Sequence, residues 1–145
     1  MTTFRLAPAF IATSAPLIEL GLCAARLQLD ARWPWIVLIP RRDDVREIED
    51  LSTADRIVLV EEIVVAGAAV RAMGEALGRP IEKLNVGALG NVTPQLHVHV
   101  VGRRVDDCAW PGPVWGVGEA EAYRTDDWER AVSAARAALE RIGRH

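Results

Sequence analysis

The sequence predicts an α+β fold with an antiparallel sheet, one long central helix and a C-terminal helix. Three observations predict it. The elements follow the order strand, strand, helix, strand, strand, helix, which is typical of antiparallel α+β folds. Residues 22–40 carry two strand patterns close enough to form a hairpin, and residues 53–77 carry one long helical pattern. The chain has 145 residues, close to the usual size of one domain, so we predict a single domain over residues 1–145.

The first two strands are predicted to form a hairpin near the start of the chain. Residues 22–29 (LCAARLQL) alternate in part between apolar and polar side chains. Residues 33–40 (WPWIVLIP) have an apolar centre, which indicates a strand covered on both faces of its sheet. Residues 1–21 contain two prolines and are predicted to be irregular, apart from one helical turn at about 7–12.

The central helix is predicted from its length, its alanines and its apolar spacing. Ser52, followed three residues later by Asp55, resembles a capping box and indicates the helix start. Valine and isoleucine in this segment favour a strand only mildly. The apolar side chains recur at a helical spacing: Ile57, Val60, Val64, Val70, Met73 and Leu77. Gly78 is predicted to end the helix.

The second half of the chain supplies two more strands and the last helix. We predict strands at 83–89 (KLNVGAL) and 95–101 (QLHVHVV), and a Pro- and Gly-rich loop at 106–118. A final helix is predicted at about 126–143, capped by one of the aspartates at its start, with an alanine-rich face toward the sheet.

Composition excludes several classes of partner. The chain has 17 basic and 20 acidic residues, a net charge of −3 and a pI of about 5.6, so we expect neither a nucleic-acid nor a membrane partner. No apolar run approaches the ~18–20 residues of a membrane span, and the N-terminus shows no secretory pattern. We therefore expect a cytoplasmic protein whose Cys23 and Cys108 are reduced thiols.

The motif QLHVHVV carries two of the three histidines in the chain. In a strand, Gln95, His97 and His99 would project from one face, at intervals of about 6.5–7 Å. Three interpretations stay open on the residues alone. The polar side chains could belong to a half-exposed strand, or the histidines could bind a metal ion with a third ligand from Cys108, His145 or a carboxylate. The third interpretation is nucleophilic catalysis at phosphorus by a neutral imidazole.

The stretch resembles the motif of the histidine triad family, His-φ-His-φ-His-φ-φ, in which φ is apolar. The resemblance includes the residues around the motif and runs from about residue 22 to 115. It implies a sheet of about five strands, a homodimer with a continuous sheet and no cofactor. It also implies a nucleotide hydrolase or nucleotidyl transferase that acts at the α-phosphate of a purine nucleotide conjugate, such as a phosphoramidate or a dinucleoside polyphosphate.

The resemblance also implies roles for individual residues. His97 would be the nucleophile that attacks the α-phosphorus, and His99 would contact the phosphate and assist the leaving group. Asp30 would bind the ribose, and Asn85 and Asn91 would lie along the phosphates. The full set of nucleotide-binding residues that it implies is Asp30, Asn85, Gly90, Asn91 and Trp110.

Three positions depart from the family pattern. Gln95 stands where the first histidine of the triad is expected, and glutamine cannot carry positive charge. Val92 replaces a phosphate-contacting serine or threonine of many members, and Asp43 stands where some members have a further histidine. We therefore keep an alternative, a nucleotide-binding module with weak or absent catalysis, and a second alternative, the metal site.

Overall fold

One five-stranded antiparallel sheet organises the structure, a computed structural model that describes residues 4–142. In chain order the elements are α1 (Pro8–Thr13), β1 (Ser14–Glu19), β2 (Cys23–Gln28), β3 (Trp35–Pro40), a short 3₁₀ helix (Ile48–Asp50), α2 (Thr53–Ala76), β4 (Lys83–Gly87), β5 (Val98–Arg103) and α3 (Thr125–Ile142). The strands lie in the order β1-β2-β3-β5-β4. The predicted α+β class, the antiparallel sheet and both helices are confirmed.

One side of the sheet, which we call the helical face, packs against α2 and α3. The N–H of Asp55 donates to Ser52 Oγ, so the predicted N-cap of α2 is present. Small and aliphatic side chains of α2 and α3 fill the space against the strands, including Ala66, Ala69, Val70, Met73, Ala131, Ala135 and Ala138. Alanines let the helix backbones approach the sheet closely, and each buried valine or methionine stabilises the fold by roughly 1.5–3 kcal/mol.

The opposite side, which we call the aromatic face, carries a second core. Its strands contribute Trp35, Val37, Ile39 and Val101, which pack with Trp33 just before β3, Phe10 of α1 and Val114 of the 106–118 loop. All six residues of β3 are buried, as the apolar centre of that segment predicted, because each face of the strand is covered.

The N-terminal prediction was incomplete, because residues 14–19 form β1 and not irregular chain. Pro16 hid this strand from the sequence pattern. Proline is tolerated here because β1 is an edge strand, and its register with β2 shifts between Pro16 and Ile18. The predicted helical turn before it is confirmed as α1.

The boundary of β5 also differs from the prediction. The strand begins at Val98 rather than at Gln95, and it ends at Arg103 rather than at Val101. Gln95 is drawn away from the sheet because its side chain bonds the N-terminal segment, as described below. The start of α3 lies at Thr125, so the predicted capping aspartates lie in its first turn.

The structure also tests the predictions for the cysteines and for a membrane span. Cys23 and Cys108 are both free cysteines. Within residues 4–142, neither α2 nor any other helix is apolar enough over its length to cross a membrane.

Candidate active site

His97 and His99 lie together on the aromatic face. His99 pairs with Val37 of β3 and with Gly87 of β4, so it stands in the middle of the sheet. His97 immediately precedes β5, and the centroids of the two imidazole rings are 4.9 Å apart. The strand alternation that the sequence predicted for these two side chains is present, with Leu96 and Val98 buried on the other side.

The orientation of His97 is set by its own backbone neighbourhood. Its Nδ1 lies 2.7 Å from the carbonyl oxygen of Gln95. A carbonyl oxygen can only accept a hydrogen bond, so Nδ1 carries a proton. His97 is 7% exposed, and in this tautomer of the uncharged ring the lone pair available for nucleophilic attack lies on Nε2.

His99 has the opposite tautomer. The indole Nε1–H of Trp35 donates to His99 Nδ1 at 3.0 Å, so the proton of the neutral ring resides on Nε2. Burial, with a further contribution from the neighbouring His97, lowers the pKa of His99 to about 4. At neutral pH His99 is therefore an uncharged hydrogen-bond donor through Nε2.

Aromatic rings enclose the pair of histidines. Phe10 meets His97 edge to face at 4.7 Å, and Trp35 and Trp115 meet His99 at 5.6 and 5.4 Å. The sequence named Trp110 for the site, but the ring that the structure places beside the histidines is Trp115. Spacing in the sequence could not have selected Trp115 over Trp110, because both lie in one irregular loop.

Gln95 makes three hydrogen bonds that have different functions. Its backbone carbonyl accepts from His97, as described above. Its side-chain Oε1 accepts from the N–H of Ala7 at 2.8 Å, and its Nε2 donates to the carbonyl of Arg5 at 2.9 Å. The side chain therefore holds the segment before α1, which in turn places Phe10 against His97. This role for Gln95 had no signal in the sequence, because it depends on residues ~90 positions away.

A cavity of about 190 Å³ opens beside His97. Gly90 of the upstream turn lines it together with Leu96 and His97, and the opposite wall is the segment 46–49. Gly90 has a φ of 69°, a left-handed conformation that glycine adopts without strain. Arg46 is the basic residue of this wall, and sequence reasoning did not select it. The exposed residues 91–92 follow in the same turn, and Val92 is 96% exposed.

Asp30 lies at the end of β2, where its carboxylate is already engaged. Arg32 donates to it through Nε and Nη2, with an ion-pair distance of 2.9 Å, and the backbone N–H of Glu121 also donates to it. Asp30 is buried.

Asn85 and Trp110 belong to a network around the buried Arg103. Nη1 of Arg103 donates to Asn85 Oδ1 at 2.8 Å, and its guanidinium lies 5.5 Å from the Trp110 ring. Two further bonds, of 2.8 and 3.0 Å, join Arg103 to Asp107. Burial would raise the pKa of Asp107, but hydrogen bonds from Arg103 and from backbone N–H groups outweigh it and lower the pKa to about 2.

No cluster of three or more His, Cys, Asp or Glu side chains in residues 4–142 has a metal-binding arrangement. The third ligand that the sequence suggested is not near the pair. Cys108 lines a different cavity, at the far end of β5. His145 lies outside the described residues.

The sheet order and the paired histidines at the start of an inner strand define a histidine-triad-like α+β protein. Residues 11–106 match the family model described as the HIT domain, and the chain therefore belongs to the HIT domain family. Members of this family are typically nucleotide-binding proteins that act as hydrolases or transferases.

Three solved structures of histidine triad proteins resemble this chain over nearly its whole length. The protein from Sinorhizobium meliloti 1021 is 41% identical, covers 96% of this chain and 99% of its own, and has a TM-score of 0.86. The protein from Bradyrhizobium japonicum is 37% identical with coverages of 94% and 98% and a TM-score of 0.85. The protein from Marinobacter aquaeolei VT8 is 35% identical with coverages of 96% and 98% and a TM-score of 0.83. A comparison with curated proteins gives no match.

Proposed function

We propose that the protein is a nucleotide hydrolase or nucleotidyl transferase that acts at the α-phosphate of a purine nucleotide conjugate through a covalent nucleotidyl-His97 intermediate. The observation that carries the proposal is the 2.7 Å contact between His97 Nδ1 and the Gln95 carbonyl. In the uncharged ring this contact leaves the lone pair on Nε2, and it stabilises the positive charge that develops on the ring when Nε2 forms a bond to phosphorus.

The reaction takes place in two displacements. In the first, His97 Nε2 forms a bond to the α-phosphorus, and the leaving group departs with its electron pair and takes up a proton. In the second, a water oxygen attacks the same phosphorus, the P–N bond breaks, and the water proton passes to solvent. His99 supports both steps because its Nε2–H can donate to a phosphate oxygen without adding charge.

We also propose contacts for the other predicted site residues. Gly90 and the turn after it, which includes Asn91, would contact the phosphates at the cavity beside His97. Asp30 would bind the ribose. Asn85 and Trp110 would act through the Arg103 network that holds them.

The test compares wild type with His97→Ala on an adenosine phosphoramidate and on a dinucleoside polyphosphate. We expect wild type to release AMP and to show an acid-labile nucleotidyl adduct by intact-protein mass spectrometry. His97→Ala should lose roughly 10³-fold or more of the rate and should form no adduct. Val105→Ala, an exposed change just beyond β5, is the matched control. Equal rates for wild type and His97→Ala would refute the proposal.

A second candidate function is nucleotide binding with weak or absent turnover. It is favoured by the lack of a fixed positive charge on the two residues that flank the nucleophile. The Gln95 amide is neutral and occupied by backbone partners, and His99 is neutral because its pKa is about 4. This candidate predicts saturable AMP or GMP binding by calorimetry with no product after long incubation. A gain of turnover in Gln95→His would show that the glutamine limits catalysis.

We also propose a homodimer through the edge strand β4 and the outer side of α2. Ile57, Val60 and Val64 are 63%, 57% and 62% exposed at a helical spacing. Val86 of β4 is 50% exposed and pairs with Val100, so it lies on the helical face, the same side as α2. An apolar stripe beside an unpaired strand edge fits a second copy of the same surface.

Light scattering tests the dimer. We expect wild type to have twice the chain mass and Val64→Glu to be monomeric, because the charge would be buried at the interface. Val92→Glu, at a more exposed valine in the turn before β5, should remain dimeric. A monomeric wild type, or a dimeric Val64→Glu, would contradict the proposal.

A further inference from the structure

A second cavity, of about 290 Å³, lies at the opposite end of β5 from His97. We call it the distal cavity. Arg32, Arg79 and Arg104 line it, and Trp33, Leu77 and Ile81 supply apolar surface. His97 precedes the six residues of β5 and Arg104 follows them, so the two ends lie roughly 20 Å apart at ~3.3 Å per residue. The distal cavity is therefore remote from the two histidines.

Two of its arginines are held in place by the protein. Arg32 bonds Asp30 and the carbonyl of Val117, and Arg104 bonds Asp106 and the carbonyl of Pro80. These bonds fix the guanidinium planes at the cavity wall. A positioned guanidinium loses little conformational freedom when it binds an anion.

Arg79 is the cation that is available to a ligand. It makes no ion pair within 4 Å among residues 4–142, and its Nη2 donates only over 3.4 Å, to the carbonyl of Ala31. Its side chain is exposed at the mouth of the cavity. A charge-assisted bond from Arg79 to an anion would therefore replace water rather than an existing partner.

One residue that lines the cavity has a donor without a partner in residues 4–142. Trp33 is 1% exposed, and its indole Nε1–H is buried without a hydrogen-bond partner in the described part of the chain. Arg32 lies 4.5 Å over the centroid of the same ring. A buried N–H without a partner is uncommon, and a ligand with an acceptor atom would satisfy it.

Carboxylates at the cavity limit the charge that the site can accept. Asp106 and Asp107 line it, but they are bonded to Arg104 and Arg103. Glu121 also lines it, which disfavours a highly charged ligand. The side chains that line the cavity fit a ligand with one anionic group and a small apolar body, which can pack against Trp33 and Leu77.

We propose that the distal cavity binds a small organic anion, with a carboxylate or phosphate group held by Arg79 beside the fixed guanidinium of Arg32 or Arg104. The aromatic or aliphatic body of the ligand contacts Trp33, Leu77 and Ile81, and an acceptor atom takes the Trp33 indole N–H. The volume of the cavity suits a ligand at the small end of the usual range of roughly 300–1,000 Å³.

The test uses three probes with one body: phenyl phosphate, benzoate and benzyl alcohol. Binding is followed by NMR at the Trp33 indole N–H, in the His97→Ala variant so that turnover at the active site plays no part. We expect at least one of the two anions to shift this signal saturably at millimolar concentration, and the stronger of the two identifies the anionic group. Benzyl alcohol should bind at least about tenfold more weakly, because it has no charge.

Arg79→Gln should weaken binding of the anion about tenfold, because one charge-assisted bond is lost. Arg130→Gln removes an exposed arginine of α3 and should leave binding unchanged. Absence of a saturable shift with both anions would overturn the proposal. Equal weakening by the two arginine variants would also overturn it, because it would show non-specific attraction. Neither result bears on the chemistry of His97.

Discussion

The two faces of the sheet are built from alternate residues of the same strands, yet they differ in chemistry. On the helical face, β3 and β5 present aliphatic side chains to the alanines of α2 and α3. On the aromatic face, the same strands present Trp35 and His99, beside Trp115 of the 106–118 loop. Aliphatic packing against helices stabilises the fold without any need for polar partners. The aromatic face encloses two imidazoles, and desolvation there keeps His99 neutral.

Because alternate residues of a strand point to opposite faces, the proposed chemistry lies on only one face of the sheet. A substitution on the helical face should lower stability and leave the chemistry of each folded molecule intact. A substitution on the aromatic face should alter the chemistry, whether or not it also lowers stability. Four experiments test whether the two faces act independently, and the first is the one for which we expect the largest effect.

Met73→Ala should lower the free energy of unfolding by about 2–5 kcal/mol, because it leaves a cavity in the core of the helical face. Urea denaturation followed by circular dichroism measures the change. The nucleotidyl transfer rate per folded molecule should stay within about twofold of wild type. Val105→Ala, at an exposed site, is the control. A large loss of rate in folded Met73→Ala would show that the two faces are coupled.

Acidification should destabilise the protein through His99. The pKa of His99 is about 4 in the folded state and 6.5 without perturbation, so the unfolded state binds more protons between these values. The contribution is fully present above pH 6.5 and is lost as the pH falls toward 4. It amounts to about 3 kcal/mol for a shift of this size.

The measurement is denaturation at several pH values, for wild type and for a His99→Asn variant. The slope of stability against pH between 6.5 and 4 should be shallower in the variant. Identical slopes would mean that His99 titrates with an unperturbed pKa. The carboxylates, which titrate mainly at lower pH, contribute equally to both proteins.

Trp35→Phe should reduce turnover about tenfold, because it removes the N–H that fixes the His99 tautomer. Phenylalanine keeps one of the two fused rings, so stability should fall by less than the roughly 3–5 kcal/mol of a Trp→Ala change. Nitrogen NMR of the imidazole reports the tautomer directly. Trp128→Phe, on α3 at the helical face, should leave both the tautomer and the rate unchanged. Retention of a single Nε2–H tautomer in Trp35→Phe would contradict this account.

Gln95→Met should release the N-terminal segment at a cost of about 1–2 kcal/mol, because two hydrogen bonds to backbone are lost. The carbonyl of Arg5, which Gln95 bonds, belongs to the peptide bond that trypsin cleaves. Cleavage after Arg5 should therefore be faster in the variant, as mass spectrometry can follow. Gln28→Met on β2 is the control. Unchanged cleavage would show that Gln95 does not hold this segment.

Much of the fold was predictable because it depends on local patterns. The apolar run of β3, the Ser52 cap and the alanine stripe of α3 each carry a period or a capping residue that can be recognised alone. β1 was not predictable, because Pro16 argues against a strand unless the strand is known to lie at an edge. The start of β5 was wrong for a similar reason: Gln95 is held outside the sheet by Ala7 and Arg5.

Some features of the candidate site were likewise predictable from the sequence, and others were not. The pair His97 and His99 follows from an interval of two residues, which any strand-like segment converts into one shared face. The separation of Trp115 from Trp110, and the wall at Arg46, depend on how irregular loops fold back on the sheet. Loop paths have no period, so their contacts cannot be derived from spacing.

The sequence by itself determined the α+β class, the order of most elements and the shared face of the two histidines. These follow from side-chain periodicity and capping, which act between residues near each other in the chain. The tertiary structure alone decided the two tautomers, the low pKa of His99 and the attachment of Gln95 to the N-terminal segment. Each of these depends on a partner or on burial supplied by a separate element, such as Trp35 for His99 and Ala7 for Gln95. Only the folded chain brings such groups within hydrogen-bond distance and excludes water from them.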